Sequence, residues 1–287
     1  MGALQGARWT MEDEYAVASG GRFAAVFDGH GGNGVSATLR DKLYDAYSDL
    51  LCSKHWEEID DSDARGPRIP SISSHVAALR GALARVDGDV LAQERLSHQG
   101  STAVAVVLHK SDTGHRTLLS ANVGDSRAIL SRRGRAIDLT RDHKPNDERE
   151  RARIMALGEE VQWDSYAQVH RVRNLSLSRA IGDKFARPAV SAEPDIRHFP
   201  VTDTDDEFVV LASDGLWDVM SSQEVVDFVH ERLKDDHGHR TLSKEERATL
   251  RFIQSKNMAR AVANEALERG SPDNVCVLVV WLGDRMK

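Results

Sequence analysis

The chain has 287 residues, 40% of them hydrophobic and 29% charged, with 45 acidic against 38 basic side chains for a formal net charge of −7. Those proportions exclude a disordered or fibrous chain, and the acidic surplus makes nucleic acid and anionic bilayers poor partners. The longest apolar run, 275–282, is too short to insert in a membrane, and the cysteines, Cys52 and Cys276, give no disulfide framework, no paired-cysteine zinc site and no demand for an oxidising compartment.

Residues 23–27 form an apolar run ending in Asp28-Gly29, and the periodicity of 35–51 predicts a helix, so the first unit reads strand, tight loop, helix. Residues 53–74 are polar, with Gly66, Pro67 and Pro70, and read as a surface excursion. Val76, Leu79, Leu83, Val86, Val90 and Leu91 share one face of a second helix that Ser73 or Ser74 caps. From 101 the period changes to that of strands, 102–108, 117–123 and 128–131, with Arg132-Arg133-Gly134-Arg135 as a hairpin turn into 136–139. Residues 147–157 predict a helix closed by Gly158, and 159–174, carrying Trp163, Tyr166 and His170, read as part of a flap spanning about 145–175. Residues 208–212 are an apolar strand ending in Ser213-Asp214-Gly215, and the capping box Ser221/Glu224 opens a helix over 221–233. Residues 234–256 are charged and read as an insertion, helical around 244–252. A separate last helix over 258–267 stops at Gly270, and 275–282 closes the chain as a strand. Length alone allows two domains. Strands mixed with grouped helices, without strict alternation, predict instead an α+β sandwich with helices outside antiparallel sheets, one domain over 1–287.

Gly29-His30-Gly31-Gly32-Asn33-Gly34 satisfies the spacing of a dinucleotide-binding turn. An aspartate precedes its first glycine, however, the strand–helix repeat is missing, and no acidic residue ends a convincing second strand to take the ribose. Asp61-Ser62-Asp63-Ala64-Arg65-Gly66 opens like a calcium loop but fails at Arg65 and Ile72, where oxygen ligands are required. What survives is a recurrence: Asp28-Gly29, Gly124-Asp125 and Asp214-Gly215 each follow an apolar strand, and Asp273-Asn274 precedes another. Any one is ordinary turn chemistry. Several converging at one sandwich edge would need hard cations, Mg²⁺ or Mn²⁺, to stay ionised, and glycine beside the aspartate would let a carbonyl approach the ion. Arg8, four residues before Glu12, offers the planar guanidinium that grips phosphate oxygens in pairs, and His30 is placed to protonate a departing alkoxide.

The motifs Gly6-Ala7-Arg8-Trp9-Thr10-Met11-Glu12-Asp13, Phe27-Asp28-Gly29-His30-Gly31-Gly32, Gly100-Ser101-Thr102-Ala103 and Asn122-Val123-Gly124-Asp125-Ser126-Arg127-Ala128 are followed by Asp142-His143-Lys144-Pro145 and Leu177-Ser178-Arg179-Ala180-Ile181-Gly182-Asp183. Ala212-Ser213-Asp214-Gly215-Leu216-Trp217-Asp218 and Ser271-Pro272-Asp273-Asn274 complete the series. In this order, over about 4–282, they resemble the metal-dependent serine/threonine protein phosphatases of the PP2C (PPM) family. The resemblance implies a four-layer α-β-β-α sandwich with two Mg²⁺ or Mn²⁺ ions at one edge of the sheets. Asp28 would bridge the ions, Asp214 and Asp273 hold the first, the Gly29 carbonyl the second, and Glu12 reach the second through water. Asp125, with Asp214, matches the position of a weaker third ion. Arg8 matches the phosphate-binding arginine and His30 the general acid, while Asp13, Thr102, Arg179, Asp183, Asp218 and Asn274 take supporting roles.

The implied chemistry is in-line attack on phosphoserine or phosphothreonine by metal-activated water, with Arg8 and the ions stabilising the equatorial oxygens and no covalent intermediate. Most of the family's opening strand is expected to be missing before Arg8, and glycine at position 6 argues against a lipidation signal at Met1-Gly2. The expected partners are phosphorylated proteins, for a monomer of the cytoplasm and/or nucleus. A pseudophosphatase acting as a scaffold is the alternative from another class. It would have lost ligands, whereas Asp28, Asp214 and Asp273 are all present. A small-molecule phosphatase would use the same site.

Overall fold

The computed structural model describes residues 1–53, 69–234 and 244–283. The calcium-like stretch 61–66 and most of the polar excursion lie outside the described residues, as do positions 235–243 of the expected insertion.

In chain order the strands are β1 (Gly2–Leu4), β2 (Glu14–Ala18), β3 (Phe23–Phe27), β4 (Gly29–His30), then, after helices α1 (Gly34–Cys52) and α2 (Ile72–Leu91), β5 (Gly100–Ser101), β6 (Ala103–Lys110), β7 (Arg116–Val123), β8 (Arg127–Arg132) and β9 (Arg135–Asp138). Helix α3 (Glu148–Ala156) precedes the hairpin β10 (Gln162–Asp164) and β11 (Val169–Arg171), followed by β12 (Ile181–Gly182), β13 (Asp195–Val201) and β14 (Asp206–Ala212). The chain ends with α4 (Asp214–Trp217), α5 (Ser222–Lys234), α6 (Lys244–Glu268) and β15 (Val275–Trp281).

Two five-stranded sheets form, ordered β1-β15-β14-β8-β9 and β13-β7-β6-β3-β2, with antiparallel pairing throughout. Strand periodicity sends alternate side chains to opposite faces, and both faces of each sheet are apolar. Ala24, Val26, Val104, Val106 and Leu118 of one sheet meet Ala128, Leu130, Val209, Leu211 and Cys276 of the other in the layer between them. Phe23, Ala25, Phe27 and Val107 face outward and pack on Leu39, Leu43, Leu79, Leu83 and Val86 of α1 and α2. On the far side Phe208, Val210, Val275 and Val277 pack on Val225, Val229, Met258, Val262 and Ala266 of α5 and α6. The result is the expected order of helices, sheet, sheet, helices. Fully buried Phe23, Phe27 and Phe208 each contribute about 2–3 kcal/mol by leaving water.

Helix ends follow local chemistry. Asp147 caps α3, its Oδ1 accepting from the N–H of Arg149 at 3.1 Å, and the capping box of α5 closes from both sides, Ser221 N–H to Glu224 Oε2 at 2.9 Å and Glu224 N–H to Ser221 Oγ at 3.3 Å. Helix α2 begins a turn earlier than its apolar stripe: Ser71, not Ser73 or Ser74, is the cap, with extended backbone and its Oγ accepting from Ser74 N–H at 3.1 Å. The helices expected over 244–252 and 258–267 are one continuous α6. The hairpin between β8 and β9 turns through Arg133 and Gly134 as expected. Residues 159–174 hold the β10–β11 hairpin, with Trp163 and His170 paired across it.

Candidate active site

The strand registers bring four aspartates to one edge. Val26 pairs with Val104 and Ala103 with Val123, so the end of β3, the start of β6 and the end of β7 coincide. Ala212 pairs with both Arg127 and Val277, which sets the end of β14 beside the starts of β8 and β15. Asp28, Asp125, Asp214 and Asp273 leave the two sheets there.

Each is fastened through its backbone or side chain. Thr102 grips Asp28 from both sides: its N–H donates to the Asp28 carbonyl at 2.9 Å, and its Oγ1 accepts the Asp28 N–H at 3.0 Å. Ser126 Oγ lies 2.6 Å from that hydroxyl. Asp214 is the first residue of α4, a single turn that leaves it at the edge, and Asp218 is that turn's C-terminal cap. Asp13 Oδ2 accepts from Ser213 Oγ at 2.7 Å, which joins the N-terminal segment to the end of β14. Asn274 binds the same segment, donating from Nδ2 to the carbonyls of Gln5 (2.8 Å) and Thr10 (3.0 Å) and accepting the Glu12 N–H on Oδ1 at 2.8 Å. Glu12 is held by Thr10 Oγ1 and the Gly32 N–H. Packing demands a glycine at Gly29: a Cβ there would sit 2.6 Å from the Glu12 carbonyl oxygen and 2.7 Å from Ser36 Oγ.

Burial works against every charge in the cluster. Burial first, then the charges of Asp13, Asp125 and Asp273, push Asp28 well above the usual carboxylate range, although a hydrogen bond with Asp214 opposes them. Burial and then Asp28, Asp125 and Asp218 do the same to Asp214. Asp13, also desolvated, rises to about 7. Two of the chain's own cations offset part of this: Arg8 Nη2 lies 2.6 Å from Asp273 Oδ2, and Lys144 Nζ lies 2.5 Å from Asp125 Oδ2. Among the described residues no three His, Cys, Asp or Glu side chains already close into a cation cage; Asp273 and Asp125 are drawn instead to Arg8 and Lys144. The donor set, carboxylates and a backbone carbonyl crowded in a buried edge, fits hard divalent cations, which would relieve the mutual repulsion.

Above the acids, His30 is hydrogen-bonded through Nε2 to Asp183 Oδ2 at 2.7 Å. Its burial disfavours the imidazolium, and the Asp183 bond and charge outweigh that to raise it above the ordinary histidine value.

The family profile described as "Protein phosphatase 2C" matches residues 2–275. The chain belongs to the protein phosphatase 2C family. It is 33% identical to "Probable protein phosphatase 2C 58" of Oryza sativa subsp. japonica, across 98% of this chain and 82% of that protein. It is 35% identical to "Probable protein phosphatase 2C 59" of Arabidopsis thaliana, across 98% of this chain and 78% of that one. Among solved structures, a C. elegans sex-determining protein superposes with a TM-score of 0.79 at 27% identity, over 98% of this chain and 63% of that one. The serine-threonine phosphatase 2C from Toxoplasma gondii superposes at 0.74 with 25% identity, over 97% and 92%.

Within this protein phosphatase 2C chain the structure brings together Arg8, Glu12, Asp13, Asp28, Gly29, Asp125, Asp214, Asp218, Asp273 and Asn274, with Thr102 beneath them. Arg179 is the exception: its guanidinium turns to Glu150 Oε1, the Glu193 carbonyl and Asp195, away from the carboxylate cluster. It stabilises Glu150, which its partners hold at about 2 despite burial. Sequence reasoning gives Lys144 no role, although its place in Asp142-His143-Lys144-Pro145 was the available signal. It also passes over Asp87, an acid inside the apolar stripe of α2.

Proposed function

We propose that the chain is a metal-dependent protein serine/threonine phosphatase that hydrolyses phosphoserine and phosphothreonine by direct attack of water. The observation that carries this is the buried edge where burial and neighbouring acids push both Asp28 and Asp214 well above the usual carboxylate range, with Arg8 and His30 at its rim, in a chain of the protein phosphatase 2C family. Asp28, Asp214, Asp273 and the Gly29 carbonyl would hold two Mg²⁺ or Mn²⁺ ions, Glu12 would reach one through water, and Asp125 would offer a weaker third position. When bound, the ions would neutralise the carboxylates and acidify the attacking water.

Arg8, with more than half of its side chain exposed, is accessible to a phosphate, and its fork matches two phosphate oxygens. Asp273 orients that fork. His30 protonates the departing serine or threonine oxygen. No thiolate chemistry is needed: burial pushes the Cys276 thiol well above its usual value, inside β15. The setting of this reading is a monomer working in the cytoplasm and/or nucleus; no helix among the described residues is long and apolar enough to cross a membrane, and both cysteines are free. Residues 145–175 form the flap beside the site.

The test is hydrolysis of a phosphothreonine peptide with Mg²⁺ or Mn²⁺, with and without chelator. Turnover that requires the metal is expected. Metal-independent turnover, or metal binding without turnover, overturns the reading.

A further inference from the structure

Strands β4, β5 and β12 form a three-stranded ribbon in which Gly100 pairs with His30 on one side and Gly182 on the other. Asp183 follows directly, with left-handed backbone (φ 47°, ψ 49°) that a non-glycine residue adopts at a cost, and its N–H donates to the Gln99 carbonyl at 2.9 Å. Its side chain is fully buried; among the described residues its ion-pair partner is His30 and its Oδ1 has no hydrogen-bond partner. A buried carboxylate with one partner and an unused oxygen does not serve stability.

Gly100 makes the pair sterically possible. A Cβ at that position would lie 2.2 Å from Asp183 Oδ2 and 2.4 Å from His30 Nε2. The Asp183 side is anchored to α2: Asp87 Oδ1 accepts the Gly182 N–H at 2.8 Å and Arg187 Nη2 at 2.6 Å, while Arg187 Nε donates to the Gly182 carbonyl.

We propose that Asp183 is a positioning residue that fixes His30 as the Nε2–H tautomer and leaves Nδ1 as the atom that delivers the proton to the departing oxygen. An ionised carboxylate only accepts, so Nε2 carries the hydrogen of their bond. Nδ1 has no protein partner among the described residues, and about a quarter of the His30 side chain is exposed. As the bond between phosphorus and the serine or threonine oxygen breaks, its electron pair stays on that oxygen. The oxygen takes the proton from Nδ1–H, and neutral imidazole remains bonded through Nε2–H to Asp183. Water supplies the new oxygen on phosphorus, so phosphomonoester and water become alcohol and phosphate. This inference rests on His30 being the proton donor.

The Mg²⁺-loaded enzyme is assayed on a phosphothreonine peptide, whose alkoxide must be protonated, and on p-nitrophenyl phosphate, whose phenolate need not be. Asp183→Asn is expected to lose about 10- to 100-fold on the peptide, within the range of one acid–base group, and less than about 3-fold on the aryl ester. Gly100→Ala, which forces the pair apart, follows the same pattern. Equal losses on both substrates, or none, overturn the proposal. His30→Gln separates the two readings: if it too is unselective, His30 is not the donor, whereas if it alone is selective, only the role of Asp183 falls. Nitrogen-15 chemical shifts of His30 in the unsubstituted enzyme at alkaline pH need no variant. Hydrogen on Nε2 is expected, and hydrogen on Nδ1 overturns the assignment.

Discussion

The two ends of strand β3 bury polar groups in opposite ways, roughly 16 Å apart at the rise of a five-residue strand. Beyond Phe27 lies the acid edge, where Asp13, Asp28 and Asp214 are each pushed upward by burial and by the charge of neighbouring acids. Beside Phe23 lies a neutral cluster: Tyr47 Oη is 2.5 Å from His75 Nδ1, and His75 Nε2 is 3.2 Å from His109 Nδ1. The phenol donates to His75, and His75 donates onward, so each neutral group uses the donor or acceptor it has. Burial, then the neighbouring His109, drives His75 down to about 4, so it stays uncharged. Neutral groups can satisfy one another within the chain and serve the fold. Like charges cannot, and their retention marks a site that needs something from outside.

The largest expected break in that contrast is Asp214→Ala, which should cut metal-dependent phosphopeptide turnover by roughly 10²–10³-fold, the scale of removing one key electrostatic group. Steady-state rates at saturating Mn²⁺ check it, and Tyr47→Phe should leave the same rates untouched. Acid tests the neutral end. Because the folded value of His75 is depressed, the unfolded chain takes up its proton first as pH falls through about 6.5, so stability is lost from there down to about 4 and levels off below. Allowing for partial screening, the loss is about 2–3 kcal/mol, and denaturant titrations of the unsubstituted chain and His75→Gln should differ by that slope. At the acid edge in the presence of chelator, Asp28→Asn should stabilise the fold by about 1–2 kcal/mol, since it removes one of the repelling charges. A lower melting temperature in that buffer would contradict the account of the edge. Smallest is Tyr47→Phe, expected to cost about 1 kcal/mol for one hydrogen bond, read from urea unfolding.

Central strands were legible because burial on both faces writes continuous apolar runs, as in 23–27 and 208–212. The strands at both edges of their sheet, β2 and β13, escaped notice because an edge strand is half wet: Glu14, Arg197, His198 and Pro200 interrupt the apolar pattern. The split of α6 into two helices had the same origin, a charged first half that hides its continuity. The acids of the site were legible as a set, since aspartates at several strand ends have a common destination. What each acid touches was not. That Lys144 meets Asp125, that Arg179 turns to Glu150, and that Asp183 meets His30 across Gly100 depend on long-range register, which no local pattern encodes.

Arg8 and Asp273 touch although 265 positions separate them in sequence, and β1 is held by β15. A chain elongating from its N-terminus therefore completes the sheet β13-β7-β6-β3-β2 long before residues 271–281 emerge. Until they do, Asn274 is not there to seat Glu12, nor Asp273 to orient Arg8. Competence to remove phosphate would then arrive in a single late step of biosynthesis, and a product ended early by a premature stop codon would be folded in part and inactive.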